Sequence, residues 1–470
     1  YKSFATLFLH SRYTPVAFDG FFFITTMKHR LLFILSALCL ITAQMSAQTT
    51  GAPIEYSLED CLRIASEKNL DILGAQAQLQ SQTANLTAAF GSYLPTIGAS
   101  FGYQRRLNID GGQQVNVLGF APPPNNYSLS AIANYTIFDG FQRESQFSNA
   151  EKTIAAQELG IKRIEAQIRW NISQQYIAVL RAAQIVKIRQ ENIKIGKNEL
   201  DRIKARFEAG VAPISAVYSQ EADLGQRELL AVQAENQMNI AKAQLLTIMG
   251  LDPASEASFS ENSIPSTIQN EEIQIFEKKV GSLKDAVQRS MTQRIDITDV
   301  HARKDAAQTQ VTSAKSGYMP TITANGGWSW SNSQFQDFEL FGQSFLGLNV
   351  RVPIFDNFTT NANIERAKLS VTQLSFEERQ IEQTIRSQVQ QAFLNISAAK
   401  KQIEISERSL KSAEMNYESA KERFAVGAGS ITDYLLANSQ VVTAKIDRIS
   451  AIYTYFESKM QMQFALGELR

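Results

Sequence analysis

Two long segments of the chain carry an apolar residue at every seventh position. The first series is Val179, Val186, Ile193, Leu200 and Phe207, extended towards the N-terminus in a shifted register by Phe147, Ile154, Ile161 and Ile168. The second series is Ile396, Ile403, Leu410, Tyr417 and Phe424. A sustained seven-residue repeat is typical of a left-handed coiled-coil seam. Because no proline occurs from Gly140 to Glu208, the first segment predicts a helix of roughly 100 Å at about 1.5 Å per residue.

Four shorter segments alternate apolar and polar positions, which is the pattern of β-strands. They predict strands over residues 95–106, 127–138, 320–331 and 345–355. One face of the last strand would carry Leu346, Leu348, Val350, Val352 and Ile354. Each strand has about ten residues, the length that a tilted membrane strand needs. The face of a soluble β-sandwich would show the same alternation.

Aromatic residues stand at the ends of the predicted strands. They are Tyr103, Tyr127, Trp328 and Trp330. Aromatic side chains of membrane barrels form girdles at the two membrane interfaces. If the strands cross a membrane, we expect these four residues to lie at its interfaces.

The two halves of the chain repeat one another. "LEDCLRIASEKNLDI" (58–72) aligns with "LKDAVQRSMTQRIDI" (283–297) at an offset of 225 residues, and "IFDGF" (137–141) aligns with "IFDNF" (354–358) at an offset of 217. The difference predicts a longer loop in the first half, between Tyr103 and Ile137. The pattern indicates a first repeat unit over residues 48–250, a connector over 251–281 with little core of its own, and a second unit over 282–470.

Each unit opens with a helix start signal. Ser57 with Asp60, and Ser282 with Asp285, fit the Ser-x-x-acid capping box. We expect the helices to run from there to a Tyr-x-Pro step in each unit, where the proline ends them.

The same signature interrupts both long helical patterns, in "ARFEAGVAPISAVYSQ" (205–220) and "ERFAVGAGSITDYLLA" (422–437). Each break has a basic residue in the last turn and then a glycine suited to a left-handed C-cap: Arg206 and Gly210, Arg423 and Gly427. A new helix follows, opened by Pro213 in one copy and by a capping box from Ser430 to Asp433 in the other. The signature therefore predicts two hairpin tips that join long antiparallel helices.

The N-terminal region predicts export. From Met27 the chain reads "MKHRLLFILSALCLITAQMSAQ", with a basic start, a short apolar run and small residues. This pattern is typical of a signal peptide, here over residues 27–47, and residues 1–26 would be an upstream extension. An N-terminal membrane anchor is the alternative. Cys39 lies in the leader and follows a leucine, whereas a lipid-attachment cysteine usually follows a small residue, so we expect no lipid anchor. The mature chain would retain only Cys61, which allows no internal disulfide.

The charge balance and the reactive residues argue against nucleic-acid binding, metal binding and catalysis. Lys plus Arg and Asp plus Glu both number 46, so no basic surplus indicates a nucleic-acid partner. The mature chain would hold one histidine, His301, and one cysteine, and neither lies in a metal-ligand spacing. We find no pairing of nucleophile and base. The sequence predicts no enzyme, no metal site and no cofactor.

Four strands cannot close a barrel with a lipid face, because such a barrel needs at least about eight strands. Open edges in hydrocarbon leave unpaired backbone groups that cost several kcal/mol each. We therefore expect several copies of the chain to close one shared barrel above a cylinder of helical hairpins. The predicted fold is mainly α with β, and it forms a tube.

Several stretches resemble the TolC-like outer-membrane efflux and secretion proteins. They are "YLPTIGASFGY", "IFDGF", the two Arg-Phe-x-x-Gly tips, and "LLTIMGLDP" echoed by "MQFALGELR". The resemblance covers residues 55–470. It implies a homotrimer with a twelve-stranded β-barrel in the outer membrane of a Gram-negative bacterium and a trimeric α-barrel in the periplasm. It also implies an exit duct for a tripartite efflux or type I secretion system, with a periplasmic adaptor protein and an inner-membrane pump as partners.

The resemblance also implies roles for tip residues. Asp433 matches the acidic residue that often rings the periplasmic gate, although it could simply cap its helix. The family often has a second acid where Leu436 stands and a bracing basic residue where Gly429 stands. The adaptor would dock on Arg206, Phe207, Gly210, Val211, Arg423, Phe424, Gly427 and Ala428. The alternative is that these residues only build the turn, with the two phenylalanines packed in the seam.

Two alternatives concern function as a whole. A secreted or surface coiled-coil scaffold, or an adhesin, would share the helical pattern without a pore. Within transport, the cargo could be proteins or peptides rather than drugs or metal ions. The segment "NIDGGQQVNVLGFAPPPNN" (108–126) is rich in Gly, Pro and Asn, and we expect it to form a loop at the cell exterior.

Overall fold

The computed structural model describes residues 54–107 and 123–469. The predicted signal peptide, the upstream extension and most of the first exterior loop lie outside these described residues. The described helices are α1 Leu58–Lys68, α2 Leu70–Gly91, α3 Gln142–Glu208, α4 Ile214–Ile248, α5 Asn270–Val280, α6 Leu283–Gln293, α7 Ile295–Lys315, α8 Phe338–Phe341, α9 Thr359–Ala425 and α10 Ile431–Leu466. The strands are β1 Ile54–Tyr56, β2 Thr96–Arg105, β3 Asn125–Phe138, β4 Ala257–Phe259, β5 Thr321–Asn332 and β6 Gly342–Arg351.

The same order of elements occurs in both halves of the chain. Helices α3 and α9 each have 67 residues, and the helices that follow them, α4 and α10, have 35 and 36. Helices α1 and α6 each have 11 residues, while α2 and α7 have 22 and 21. In each half, two strands stand between the shorter helices and the long one. One plan of two short helices, two strands and a long hairpin is thus used twice.

The first helical segment is divided, although the sequence pattern predicted one helix up to the proline. The Asn69 side chain accepts hydrogen bonds from the N–H groups of Asp71 at 2.9 Å and Ile72 at 3.2 Å, and donates to the Ile248 carbonyl at 2.7 Å. An asparagine that caps these N–H groups starts a new helix at Leu70. Helix α2 then ends at Gly91, four residues before Pro95.

The two predicted helix starts are observed. Ser57 forms a complete capping box with Asp60. Ser282 accepts a hydrogen bond from the N–H of Asp285 at 3.2 Å, and its hydroxyl donates to the Asp285 carboxylate at 2.6 Å. Both serines therefore satisfy one of the free N–H groups at a helix N-terminus.

Four strands form one antiparallel sheet in the order β2-β3-β5-β6. The observed strands agree with the predicted ones to within a few residues, except at the end of β6. That strand stops at Arg351, so Val352 and Ile354 do not belong to its apolar face as predicted. Pro353 lies between them and has no N–H group to continue the ladder.

The register of the sheet separates its apolar and polar residues onto opposite faces. Residues directly opposite in antiparallel strands share a face. One face carries Ile97, Phe101, Tyr103, Tyr127, Leu129, Tyr135, Ile322, Trp328, Trp330, Leu346, Leu348 and Val350. The other carries mostly small and polar residues, among them Ser100, Gln104, Ser128, Ser130, Asn134, Thr323, Asn325, Ser329 and Asn349. The sheet is therefore amphipathic across its whole width.

Tight turns connect the sheet to the long helices. At the "IFDGF" motif, Gly140 and Phe141 both have positive φ, and the Asp139 carboxylate accepts hydrogen bonds from the first N–H groups of α3. At "IFDNF", Asn357 and Phe358 also have positive φ, and the Asp356 carboxylate accepts a hydrogen bond from the Thr360 N–H. The repeated motif thus reverses the chain and caps the helix in one step.

The connector contributes to the core, although the sequence predicted little core for it. Tyr176 on α3 donates a hydrogen bond to the Ser260 carbonyl at 2.7 Å. Apolar side chains of the connector are buried against the long helices: Phe259, Ile264, Ile273, Phe276 and Val280. Three of these lie on one side of α5, because their spacing of three and four residues follows the helical period.

Among the described residues, none of the helices is both long enough and apolar enough to cross a membrane.

We predict different costs for alanine at two glycines with similar backbone angles. Gly140 and Gly210 have φ of +71° and +72°. At residue 140 a Cβ would overlap Met319 and lie 2.9 Å from the Ser316 carbonyl, whereas at residue 210 nothing lies within 4 Å. Gly210→Ala should cost about 1–2 kcal/mol through backbone strain alone, and Gly140→Ala about 2–4 kcal/mol because overpacking is added. Urea unfolding of the purified protein measures both, and equal costs would contradict this account.

Candidate functional site

Both predicted hairpin tips are present. At the first, the Val211 N–H donates to the Arg206 carbonyl at 2.9 Å, and Gly210 has φ +72°. At the second, the Ala428 N–H donates to the Arg423 carbonyl at 2.9 Å, and Gly427 has φ +75°. A helix whose C-terminal cap residue adopts the left-handed conformation makes these contacts. The glycines are therefore required by the backbone, as the turn-building alternative proposed.

The Arg206 side chain of the first tip contacts a stack of aromatic rings in the second tip. The Arg206 guanidinium lies 5.5 Å from the centre of the Phe424 ring, which stacks on the Tyr434 ring at 5.5 Å. The Tyr434 hydroxyl in turn lies 3.2 Å from that of Tyr417. Burial raises the pKa of Tyr434, so this hydroxyl stays neutral and serves as a hydrogen-bonding group. A residue of the first tip thus holds the second tip in place.

Phe207 and Phe424 occupy matching positions in the repeat but have different surroundings. Phe424 is half-buried and packs in a cluster around Leu200, Ile203 and Val217. Phe207 is 41% exposed. The prediction that both phenylalanines continue the seam is therefore supported for the second tip, whereas Ile203 fills the seam at the first.

Several apolar side chains at the tips are exposed. They are Phe207, Val211, Ile214 and Tyr218 on the first tip and Val426 on the second. Among the described residues, the chain's own packing covers these groups only in part. Apolar groups gathered at the end of a hairpin are suited to contact with another protein.

Asp433 lies in the first turn of α10 and its side chain is exposed. The predicted capping box from Ser430 to Asp433 is wrong, because Ser430 accepts its hydrogen bond from the N–H of Thr432 at 3.1 Å. Within the described residues, the Asp433 carboxylate makes no hydrogen bond or ion pair. The carboxylate is therefore open to solvent.

The close packing of the second tip explains why a glycine suits position 429. A Cβ there would lie 3.1 Å from the Arg423 Cβ and 3.2 Å from the Arg423 carbonyl carbon. A larger residue at this position would therefore contact the other side of the turn tightly, and the neighbouring atoms would have to shift slightly.

A buried polar cluster joins both hairpins above the tips, and the sequence reasoning missed it. Arg227 is 3% exposed; its guanidinium donates to Asp223 at 2.5 Å and to the Asn192 side chain at 2.9 Å. The amide of Asn438, on α10, lies 3.1 Å from the Asn192 Oδ1. The only signal in the sequence is polar residues on the seam. Such groups fix the register of packed helices.

The four predicted interface aromatics all lie at the loop end of the sheet, on its apolar face. The Tyr103 and Tyr127 rings are 4.9 Å apart. Trp330 differs from the prediction in its surroundings, because Phe335 and Phe338 cover it and leave 2% of it exposed. The surface over Trp330 is therefore formed by residues of the following loop.

The family model for outer membrane efflux proteins matches residues 61–251 and again residues 286–468. The chain belongs to this family. The predicted resemblance to TolC-like proteins is thereby confirmed, and the two matched ranges coincide with the two halves of the element order.

Known relatives and solved structures agree with this assignment. The outer membrane protein TolC of Vibrio cholerae is 23% identical over 421 residues, which cover 88% of this chain and 91% of that protein. The structure of CusC matches with a TM-score of 0.71 and 16% identity, over 90% of this chain and 95% of that one. The CmeC outer membrane channel of Campylobacter jejuni matches with a TM-score of 0.71 and 18% identity, over 87% and 85%. The efflux family member described here therefore has the fold of these channels.

We predict that the two tip phenylalanines differ in their effect on local stability. Phe424→Ala removes the ring between Arg206 and Tyr434, and should destabilise the tips by about 1–2 kcal/mol. Phe207→Ala removes a largely exposed ring and should change stability by less than about 0.5 kcal/mol. Hydrogen exchange of the amides in residues 417–434 measures the difference. Equal protection in both variants would show that the ring stack does not hold the tips together.

Proposed function

We propose that three copies of this chain form an outer-membrane exit duct of a tripartite efflux or type I secretion system. The observation that carries the proposal is the amphipathic sheet with two free edges. Within the described residues, β2 pairs only with β3, and β6 pairs only with β5. Membership of the outer membrane efflux family supports a membrane location for this sheet.

Pairing β6 of one copy with β2 of the next closes the sheet. Four strands from each of three chains make a barrel of twelve strands, which is above the minimum of about eight. The apolar face then points to lipid and the polar face lines an aqueous channel. Residues such as Leu346, which is 89% exposed in the single chain, become covered by hydrocarbon.

The long hairpins would continue the channel on the periplasmic side. Each repeat unit, 48–250 and 282–470, supplies one hairpin, so three chains supply six hairpins around one axis. The trimeric α-barrel is the counterpart of the β-barrel above it. Export through a signal peptide at residues 27–47 would deliver the chain to this compartment.

The tips are the proposed docking site for a periplasmic adaptor protein, which couples the duct to an inner-membrane pump. Exposed apolar groups such as Val211 and Phe207 would make the contact, with Gly210 and Gly427 shaping the turns. The duct itself performs no chemistry, so it needs neither a cofactor nor catalytic residues. The pump supplies the energy and selects the cargo.

Asp433 is the proposed selectivity element at the periplasmic end. Its carboxylate is exposed and makes no ion pair among the described residues. Three copies of one carboxylate around a narrow axis would attract cations and repel anions. Leu436, one turn later, is 59% exposed and would line the constriction with apolar surface.

Single-channel recording in planar bilayers tests the duct and its gate together. Asp433→Asn should lower the ratio of potassium to chloride permeability by about twofold or more, because the ring of charge is lost. The matched control is Asp201→Asn, an exposed acid on α3 above the first tip, which should leave the ratio unchanged.

Two results would count against the proposal. Membrane-inserted oligomers that conduct no ions in any variant would contradict an open duct and favour a coiled-coil scaffold. If the wild-type protein, Asp433→Asn and Asp201→Asn all have the same ratio of potassium to chloride permeability, the duct is supported but Asp433 does not set its selectivity.

A further inference from the structure

The loop between β5 and β6, residues 333–341, contains "SQFQDFELF" and folds back onto the sheet. The Asn332 side chain donates to the Gln336 carbonyl at 3.1 Å. Asp337 has φ +58°, and its carbonyl accepts hydrogen bonds from the N–H groups of Leu340 and Phe341 at 3.2 and 3.1 Å. These bonds give the loop a defined form with the short helix α8 at its end.

Ring contacts attach the loop to the apolar face. The Phe335 ring lies 5.4 Å from Trp330, 6.1 Å from Phe101 and 6.2 Å from Tyr127. Phe338 lies 4.5 Å from Trp330. Aromatic rings at these distances attract one another beyond the effect of buried area. The loop therefore lies on the face that the proposed barrel turns towards lipid, and away from the polar face of the channel.

Gly342 allows this close approach. A Cβ at residue 342 would overlap the Phe338 carbonyl and lie 2.8 Å from the Trp328 Nε1. Its φ of −80° is open to any residue, so the limit is space and not backbone strain. The first residue of β6 is thus shaped for a loop that folds against the two tryptophans.

The outer side of the loop is apolar as well. Leu340 is 77% exposed, Phe335 57% and Phe341 47%. Loops in water rarely carry so many large apolar groups in nine residues, and contiguous apolar surface marks an interaction site. The acidic residues Asp337 and Glu339 stand between them, as expected for a segment that meets both lipid and water.

We propose that this loop is a membrane anchor that lies at the boundary of acyl chains and headgroups in the outer leaflet. The inference rests on the proposed barrel, whose apolar face it continues at the end far from the long helices. Aromatic side chains favour this boundary, where one side is apolar and the other wet. The loop thereby takes over the interface position that the sequence predicted for Trp330, and it does not cover the channel mouth.

Site-specific lipid quenching tests the anchor. Three cysteine variants are made in a Cys61→Ala background, labelled with a fluorophore and reconstituted in phosphatidylcholine vesicles that contain lipids brominated near the headgroup and lipids brominated in the middle of the acyl chains. Leu340→Cys probes the loop, Leu346→Cys the apolar face of the sheet, and Gln104→Cys the polar face. We expect brominated lipid to quench the labels at residues 340 and 346 by about half, because bromine quenches only at contact distance, and aqueous iodide to quench only the label at residue 104.

The outcomes separate the anchor from the barrel. Quenching by lipid at residue 346 but not at residue 340 would overturn the anchor and leave the barrel intact. No lipid quenching at residue 346 would overturn the proposed barrel, and the anchor with it. A label at residue 340 that is shielded from both quenchers would place another protein surface on the loop, which also overturns the proposal.

A second variant shows whether the fold-back positions the loop. Gly342→Val fills the space between Phe338 and Trp328, so the loop should leave the apolar face. Lipid quenching at residue 340 should fall while quenching at residue 346 is kept. Unchanged quenching at both positions would show that the anchor does not depend on the observed packing.

Discussion

A β-strand edge placed in hydrocarbon leaves backbone N–H and C=O groups unpaired, at several kcal/mol each. Within the residues that the structure describes, this chain has a sheet of four strands with a free edge on each side and a continuous apolar face. The two properties conflict in a single chain, because the face favours lipid and the edges do not. Further copies that pair edge to edge would resolve the conflict, so the proposed assembly of several chains rests on the sheet itself.

The long helices must also pack in one fixed register. Hairpins built on 67-residue helices need a register that does not slip, and apolar seams alone specify register weakly. The buried cluster of Arg227, Asn192 and Asn438 supplies directional contacts between the first hairpin and α10. Nearer the end, Arg206 over Phe424 ties the two tips together. In both contacts, residues of the first repeat bind residues of the second. Equivalent positions of the two repeats therefore have different structural roles.

Much of the fold could be predicted because it depends on local patterns. Strand alternation predicted the apolar face of β6 with Leu346 and Leu348, and the glycine signatures at residues 210 and 427 predicted both turns. The rest depends on contacts between distant segments. The Asn69 side chain divides a helix by capping Leu70–Gly91, and its amide donates a hydrogen bond to the Ile248 carbonyl, far along the chain. Phe207 and Phe424 look equivalent until the packing of the two tips makes them different. Trp330 is covered by a loop whose fold-back no periodicity describes.

The closure of the sheet between copies is the central claim, and electron cryo-microscopy of the detergent-purified protein tests it most directly. The account predicts three chains around one axis, with β2 of each chain hydrogen-bonded to β6 of its neighbour in a continuous barrel and Leu346 facing outward. Single chains, or an assembly in which these two edges remain unpaired, would contradict it.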